Sequence, residues 1–321
     1  FSSYSLLKST IRLNEYVETG KLLGYKQLAL TDDGVLHGAV EFYERCIQNG
    51  IQPILGCTFE ISWKSDASRK EMLVVYAKGA KGYESLLKLS TLYQQGITWT
   101  TEMTEWIATH SEDVKIILPP MDSEWVAAHS KGKLESVLRA VKEEFPGVEI
   151  AVGITREMVE RGEFDKMRAG IEDAGVVPVA FSVSRYLNTT DYFSWKVLQA
   201  IRLGETLSFT QEDATGSESL PEATSMAKVF QATEDGVLLS NLEQFTKELV
   251  VEIPLRDTML PQFPVPGGKT SAQFLYELCE AAMLEMGVTT PVYVNRLKEE
   301  LAVIHDMGFD DYFLIVWDIM R

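Results

Sequence analysis

Histidine and cysteine, the side chains that most often hold transition metals or act as nucleophiles, are scarce: four histidines and three cysteines in 321 residues. His37, His110, His129 and His305 show neither HxH nor HExxH spacing, so no zinc site can be read from them and each is expected to be structural. Cys46, Cys57 and Cys279 are odd in number and far apart, which argues against a disulfide framework and for a reducing, cytoplasmic setting. No apolar run approaches the roughly 18 residues that a membrane span needs, and the first residues lack the basic-then-apolar layout of an export signal. Basic charge is also short. With 30 Lys and Arg against 47 Asp and Glu, the net charge of −17 would repel a phosphate backbone unless the cations were clustered, and no cluster is present. If a larger protein containing this chain handles nucleic acid, the gripping surface is expected outside these residues.

What is present is an ordinary globular composition, 45% hydrophobic and 24% charged, in a chain long enough for one barrel-sized domain or one domain and part of a second. Short β-rich runs at Gln27–Thr31, Pro53–Ile61, Met72–Ala77, Val114–Leu118, Val148–Ile154 and Val177–Phe181 alternate with amphipathic stretches. One such stretch, His37–Asn49, places Ala39, Phe42, Tyr43 and Cys46 on one helical face, and Gly50 supplies the stop. This βαβ rhythm predicts a mostly parallel sheet covered by helices, doubly wound or closed into a barrel, with chemistry at the carboxyl ends of the strands. From Phe209 to Gly236 the chain turns polar, and the run Thr210–Ser219 reads as a surface loop. Pro254, Pro261, Pro264, Pro266, Gly267 and Gly268 then mark a connector and the best domain boundary. Beyond it, Thr270 with Gln273 forms a capping-box pattern, Pro291 opens a second helix, and Gly308 ends it. The chain stops on a mainly apolar stretch, Tyr312–Arg321, and begins with Phe1, so a fragment of a longer protein is expected.

Few residues carry chemistry on their own. Asp32 and Asp33 follow the first strand, where a divalent ion could sit, but no further oxygen ligands are recognisable; the reading preferred is a turn cap for Asp32 and solvation for Asp33. His37 is expected on the helix face beyond that turn. Cys57 has apolar neighbours and reads as a core cysteine. The segment Lys78-Gly79-Ala80-Lys81-Gly82-Tyr83 has neither phosphate-loop nor dinucleotide spacing.

Several motifs, taken together and in order, resemble a known family. Tyr4-Ser5-Leu6-Leu7, Leu30-Thr31-Asp32-Asp33-Gly34 through Tyr43, and Gly50-Ile51-Gln52-Pro53-Ile54-Leu55-Gly56-Cys57 are similar to the PHP (polymerase and histidinol phosphatase) domain of the bacterial DNA polymerase III alpha subunit family. So are Tyr186-Leu187-Asn188, Leu260-Pro261-Gln262-Phe263-Pro264-Val265-Pro266, and Met307-Gly308-Phe309 with Tyr312–Trp317. The resemblance implies an α/β fold, a distorted (β/α)7 barrel of PHP type over residues 1–255, followed by a small, mainly helical segment, 256–321, that opens the polymerase palm. It implies a parent DNA-directed DNA polymerase whose catalytic aspartates and Mg2+ lie beyond this fragment, which itself carries no catalytic residue. Its partners would be the rest of the polymerase chain and, through it, DNA and replisome subunits, with no membrane and the fragment a monomer.

The departures from the family pattern fall on its metal ligands. Phe1, Lys8, Asp33, Thr58, Met72, Met121, Val183 and Arg185 stand where metal-bearing PHP domains place donors. Apolar and cationic side chains cannot coordinate zinc or manganese, so a metal-free, structural domain is expected, with a carboxylate such as Asp33 pairing with Lys8 or Arg185. The competing readings are a retained phosphoesterase or 3′–5′ exonuclease using Asp32 and Asp33, and a docking module for another replication factor.

Overall fold

A computed structural model of the chain describes residues 1–63, 66–96, 101–121, 123–207, 218–233, 236–255 and 261–321. It divides into two compact units, Phe1–Ile253 and Pro254–Arg321. The first holds a six-stranded sheet in sequence order: β1 (Gln27–Asp33), β2 (Gln52–Trp63), β3 (Asp66–Ala77), β4 (Val114–Leu118), β5 (Glu149–Ile154) and β6 (Val177–Ala180). Around it lie α1 (Leu13–Leu22), α2 (Ala39–Asn49), α3 (Gly79–Gln94), α4 (Thr101–Thr109), α5 (Glu124–Ser130), α6 (Leu134–Glu144), α7 (Arg156–Glu160), α8 (Glu163–Asp173), α9 (Tyr192–Leu203), α10 (Ala223–Gln231) and α11 (Val237–Thr246).

The strands fall on the predicted runs, and the sheet is mostly parallel as expected, with one strand reversed. β1 and β2 are parallel, as are β4, β5 and β6, whereas β3 runs antiparallel to both of its neighbours. The reason is the length of the joint. Only residues 64–65 separate β2 from β3, and a parallel return needs a crossover of a dozen residues or so. The described strands number six, one fewer than the resemblance implied. The polar stretch after Phe209 also holds a helix, α10, while most of the run Thr210–Ser219 lies outside the described residues.

Alternation along each strand separates two cores. Leu28 and Leu30 of β1, Cys57 and Phe59 of β2, Leu73 and Val75 of β3, Ile116 of β4 and Val152 of β5 face the helices, where Val17, Phe42, Leu89, Ile107, Trp125, Leu138 and Phe164 cover them. The opposite face curls into a half-barrel. Inside it Ile54, Val74, Tyr76, Ile117, Ala151 and Val179 meet Phe245 of α11 and Leu249 beyond it. Two interior positions are glycines. A Cβ on Gly56 would lie 2.9 Å from the Val75 carbonyl and 3.0 Å from the Tyr76 ring, and one on Gly153 would lie 2.6 Å from the Phe181 ring. Lys115, also interior-facing and buried, ties α11 to the sheet: it donates to the Phe245 carbonyl at 3.1 Å and pairs with Glu149 and Glu248 at 2.8 and 3.2 Å.

The second unit contains α12 (Ser271–Glu285), α13 (Pro291–Asp306) and α14 (Asp310–Met320). The capping box at Thr270 and Gln273 is formed. Asp311 accepts from the Phe263 amide at 2.9 Å and the Ser271 hydroxyl at 2.6 Å, and the Phe274 ring lies against Phe263 and Trp317.

One buried group makes the stability of the fold depend on pH. Glu71 on β3 is 1% exposed; its Oε2 accepts from the Glu124 amide at the start of α5, and its Oε1 has no hydrogen-bond partner among the described residues. Burial pushes its carboxyl up from 4.5 to about 7. An acid whose folded pKa is raised binds its proton more tightly in the native state, so stability is lost as pH climbs through that interval. Glu71→Gln is therefore expected to raise stability at pH 8 by roughly 1–3 kcal/mol and to change it little at pH 4.5, as urea unfolding at the two values would measure. A loss at pH 8 would show that the ionised carboxylate is favoured where it sits.

Candidate functional site

The first twelve residues run across the mouth of the half-barrel and stitch β1 to the segment that follows β6. Asp32, at the end of β1, is 1% exposed. Its Oδ1 accepts from the Ser2 amide at 2.5 Å and the Ser5 hydroxyl at 2.6 Å, and its Oδ2 accepts from the Ser2 hydroxyl at 2.6 Å. Asp32 therefore does not cap a turn, as its sequence context suggested. It is the buried anchor of the N-terminal segment, and three donors offset the cost of removing its charge from water. Asp33 is not simply solvated either. Its amide donates to the Ser5 hydroxyl at 3.0 Å and its carboxylate pairs with Lys8. At the other end, the Ser9 hydroxyl and the Thr10 amide both donate to the Arg185 carbonyl at 2.9 Å. Two donors from α9, Trp195 Nε1 and Gln199 Nε2, hold the carbonyls of Lys8 and Leu7 at 3.1 and 2.8 Å.

Behind this stitch lies a cavity of about 470 Å3 inside the half-barrel. Phe1, Thr58, Met72, Met121 and Val183 all line it, so five of the eight positions singled out in the sequence come from five separate segments to one cavity. The other three do not line it and are held in ion pairs. Lys8 holds Asp33, as the charges suggested, and Arg185 pairs with Glu218 at 2.9 Å while its guanidinium lies 4.8 Å from the centre of the Phe1 ring.

This donor set does not fit a divalent ion. Asp33 is the one carboxylate of the eight and already faces the Lys8 ammonium; the Thr58 hydroxyl donates to the Thr31 carbonyl at 2.9 Å. Thioethers, a valine and a phenyl ring offer hard or borderline cations nothing, and two fixed positive charges oppose them. Among the described residues, no group of three or more His, Cys, Asp or Glu could hold a metal.

The remaining sequence candidates lie apart. His37 is exposed and precedes α2 instead of lying on its face, with its ring 6.4 Å from that of Tyr4. His110 stacks on Trp106, His129 lies in α5, and His305 binds Asp310, which raises its pKa by hydrogen bonding. Cys57 is buried opposite Asp32 in the sheet, and burial pushes its thiol well up, which fits a core cysteine. Gly79 simply begins α3. Sequence reading missed Ser2, Ser5, Ser9 and Glu218. The signal of the serines was faint, a short polar side chain every few residues of the opening segment.

The buried carboxylate and the half-exposed ion pair differ in weight. Asp32→Ala strands three donors and is expected to cost about 3 kcal/mol, whereas Lys8→Met should cost about 1 kcal/mol or less. Urea unfolding of both variants at pH 7 measures the difference; equal losses would move the anchor from Asp32 to the ion pair.

The sequence model of the PHP domain matches residues 2–165, about half of the chain, and that of the bacterial DNA polymerase III alpha NTPase domain matches residues 273–321. DNA polymerase III subunit alpha of Halalkalibacterium halodurans is 33% identical over 334 residues, which cover 100% of this chain and 29% of that protein. The subunit alpha of Bacillus subtilis is 29% identical over 325 residues, with the same two coverages. The chain thus spans less than a third of the length of these relatives. A solved amidohydrolase from Chromobacterium violaceum superposes loosely, with a TM-score of 0.38 and 12% identity over 55% of this chain and 82% of that one. With an α/β half-barrel whose mouth gathers the positions read from the sequence, and with a family match across half of its length, this chain belongs to the PHP domain family.

Proposed function

We propose that the chain is the PHP domain, residues 1–255, and the entry to the palm, 256–321, of a bacterial DNA polymerase III alpha subunit, and that its PHP site works as a scaffold and not as a metal centre. The parent enzyme would be a DNA-directed DNA polymerase acting in replication in the cytoplasm. Nucleotidyl transfer, and the Mg2+ it uses, would reside in palm residues beyond this chain; DNA and the replisome subunits would be met through the rest of the polymerase. No described helix is long and apolar enough to cross a membrane.

One observation carries the scaffold reading. At the mouth of the half-barrel, the segments that a metal cluster would cross-link through shared ligands are joined instead by Asp32 with Ser2 and Ser5, by Lys8 with Asp33, and by Arg185 with Glu218. Each junction is made by the chain's own side chains, which supports a domain that needs no ion to join these segments. The acidic balance of −17 fits a part that supports the polymerase and leaves the gripping of DNA to others.

Elemental analysis of protein prepared with zinc and manganese, beside an assay for release of 3′ nucleotides from single-stranded DNA, tests the reading. Substoichiometric metal and no release are expected. Two or three bound ions per chain with nucleotide release would replace the scaffold by a working exonuclease.

A further inference from the structure

We propose that the cavity inside the half-barrel is a binding site for a small, uncharged, mainly apolar molecule that carries one hydroxyl or carbonyl group. The proposal goes beyond the scaffold reading and does not depend on the polymerase assignment.

Three observations lead to it. The first is size: about 470 Å3, within the roughly 300–1,000 Å3 of small-molecule sites. The second is the lining. Ile54, Met72, Val74, Ile117, Met121 and Phe181 form an apolar wall, and the only charged side chain among the described lining residues, Lys26, is exposed to solvent. Lys8 and Arg185 are already paired with Asp33 and Glu218, so a carboxylate or phosphate would be stripped of water there with no unpaired buried side-chain charge to meet it, and charged ligands are disfavoured. The two methionines can adapt their shape to an apolar guest.

The third is an unspent polar group. Tyr76 projects from β3 into the cavity and is 7% exposed, and its hydroxyl has no hydrogen-bond partner among the described residues. Its neighbours differ. Tyr16 donates to the Ala29 carbonyl at 3.0 Å, Tyr25 to the Pro221 carbonyl at 2.9 Å and Thr58 to the Thr31 carbonyl at 2.9 Å. Burial pushes the Tyr76 phenol upward, so it stays protonated and able to donate. A hydroxyl that lines an apolar cavity with no partner among the described residues favours a guest that pairs with it. The Phe245 ring, edge-on to Tyr76 with centroids 6.2 Å apart, closes the chamber on the α11 side.

The test uses the whole chain and three probes of similar size: toluene, p-cresol and benzoate. Ligand-observed NMR and thermal shift should show saturable binding of toluene and p-cresol, with p-cresol held about five-fold more tightly through one hydrogen bond and benzoate not bound. Tyr76→Phe should erase the preference for p-cresol and keep toluene binding. Val74→Phe, which fills the chamber, should abolish both. Absence of saturable binding by the wild-type chain, benzoate bound as well as p-cresol, or a preference that survives Tyr76→Phe would each overturn the proposal. Should Val74→Phe fail to fold, the probe series on the wild type and Tyr76→Phe still decides.

Discussion

The architecture depends on a single buried carboxylate. An open sheet curled through half a turn leaves its first and last strands unpaired with each other, and something must bridge them or the interior stays wet. Here the bridge is the opening segment, and Asp32 is its fixed end. At 1% exposure an ionised side chain has lost nearly all its hydration, and the two Ser2 donors and the Ser5 hydroxyl return it through short, charge-assisted bonds. With Ser2 and Ser5 held, Lys8 comes within reach of Asp33, Ser9 and Thr10 arrive at the Arg185 carbonyl, and Phe1 is laid under the Arg185 guanidinium. Cover for the cavity follows from that order of contacts.

Much of the fold was legible in the sequence because the strands are bounded by clear signals. Val114–Leu118 is β4 to the residue, and the helix ending at Gly50 does so with that glycine at φ 69°, in the left-handed region where a side chain would be strained. The direction of β3 was not legible from rhythm alone, since period-2 alternation looks the same whichever way a strand runs; only the short joint after Trp63 carried that information. The site divides in the same way. Phe1, Thr58, Met72, Met121 and Val183 were singled out through the resemblance, and folding brings them to the lining of one cavity. The serines that hold Asp32 were not found, because their partner lies 27 and 30 residues away and nothing local announces it. Asp32 itself was misread for the same reason: a carboxylate after a strand usually meets solvent or a helix start, and here another part of the chain arrives first.

The second unit shows how far local signals reach without a large core. Its helices begin where capping chemistry says they should, at Thr270 and Pro291. Yet Leu275 and Leu314 are its only buried hydrophobic residues among those described. Its order rests on the Asp311 hydrogen bonds and on Phe274 between Phe263 and Trp317. Helix propensity and caps specify three rods; a handful of aromatic and polar contacts arranges them.

Gly56 and Gly153 give the half-barrel its interior dimensions. Each replaces a side chain by a hydrogen atom, and each space so freed is taken by an aromatic ring from the neighbouring strand or the chain just past it, Tyr76 in one case and Phe181 in the other. Neither glycine lines the cavity itself, yet each sets how closely a ring can approach the sheet. A methyl group at Gly153 would press on the Phe181 ring, and one at Gly56 would press on the Val75 carbonyl and the Tyr76 ring, so the sheet itself would have to give.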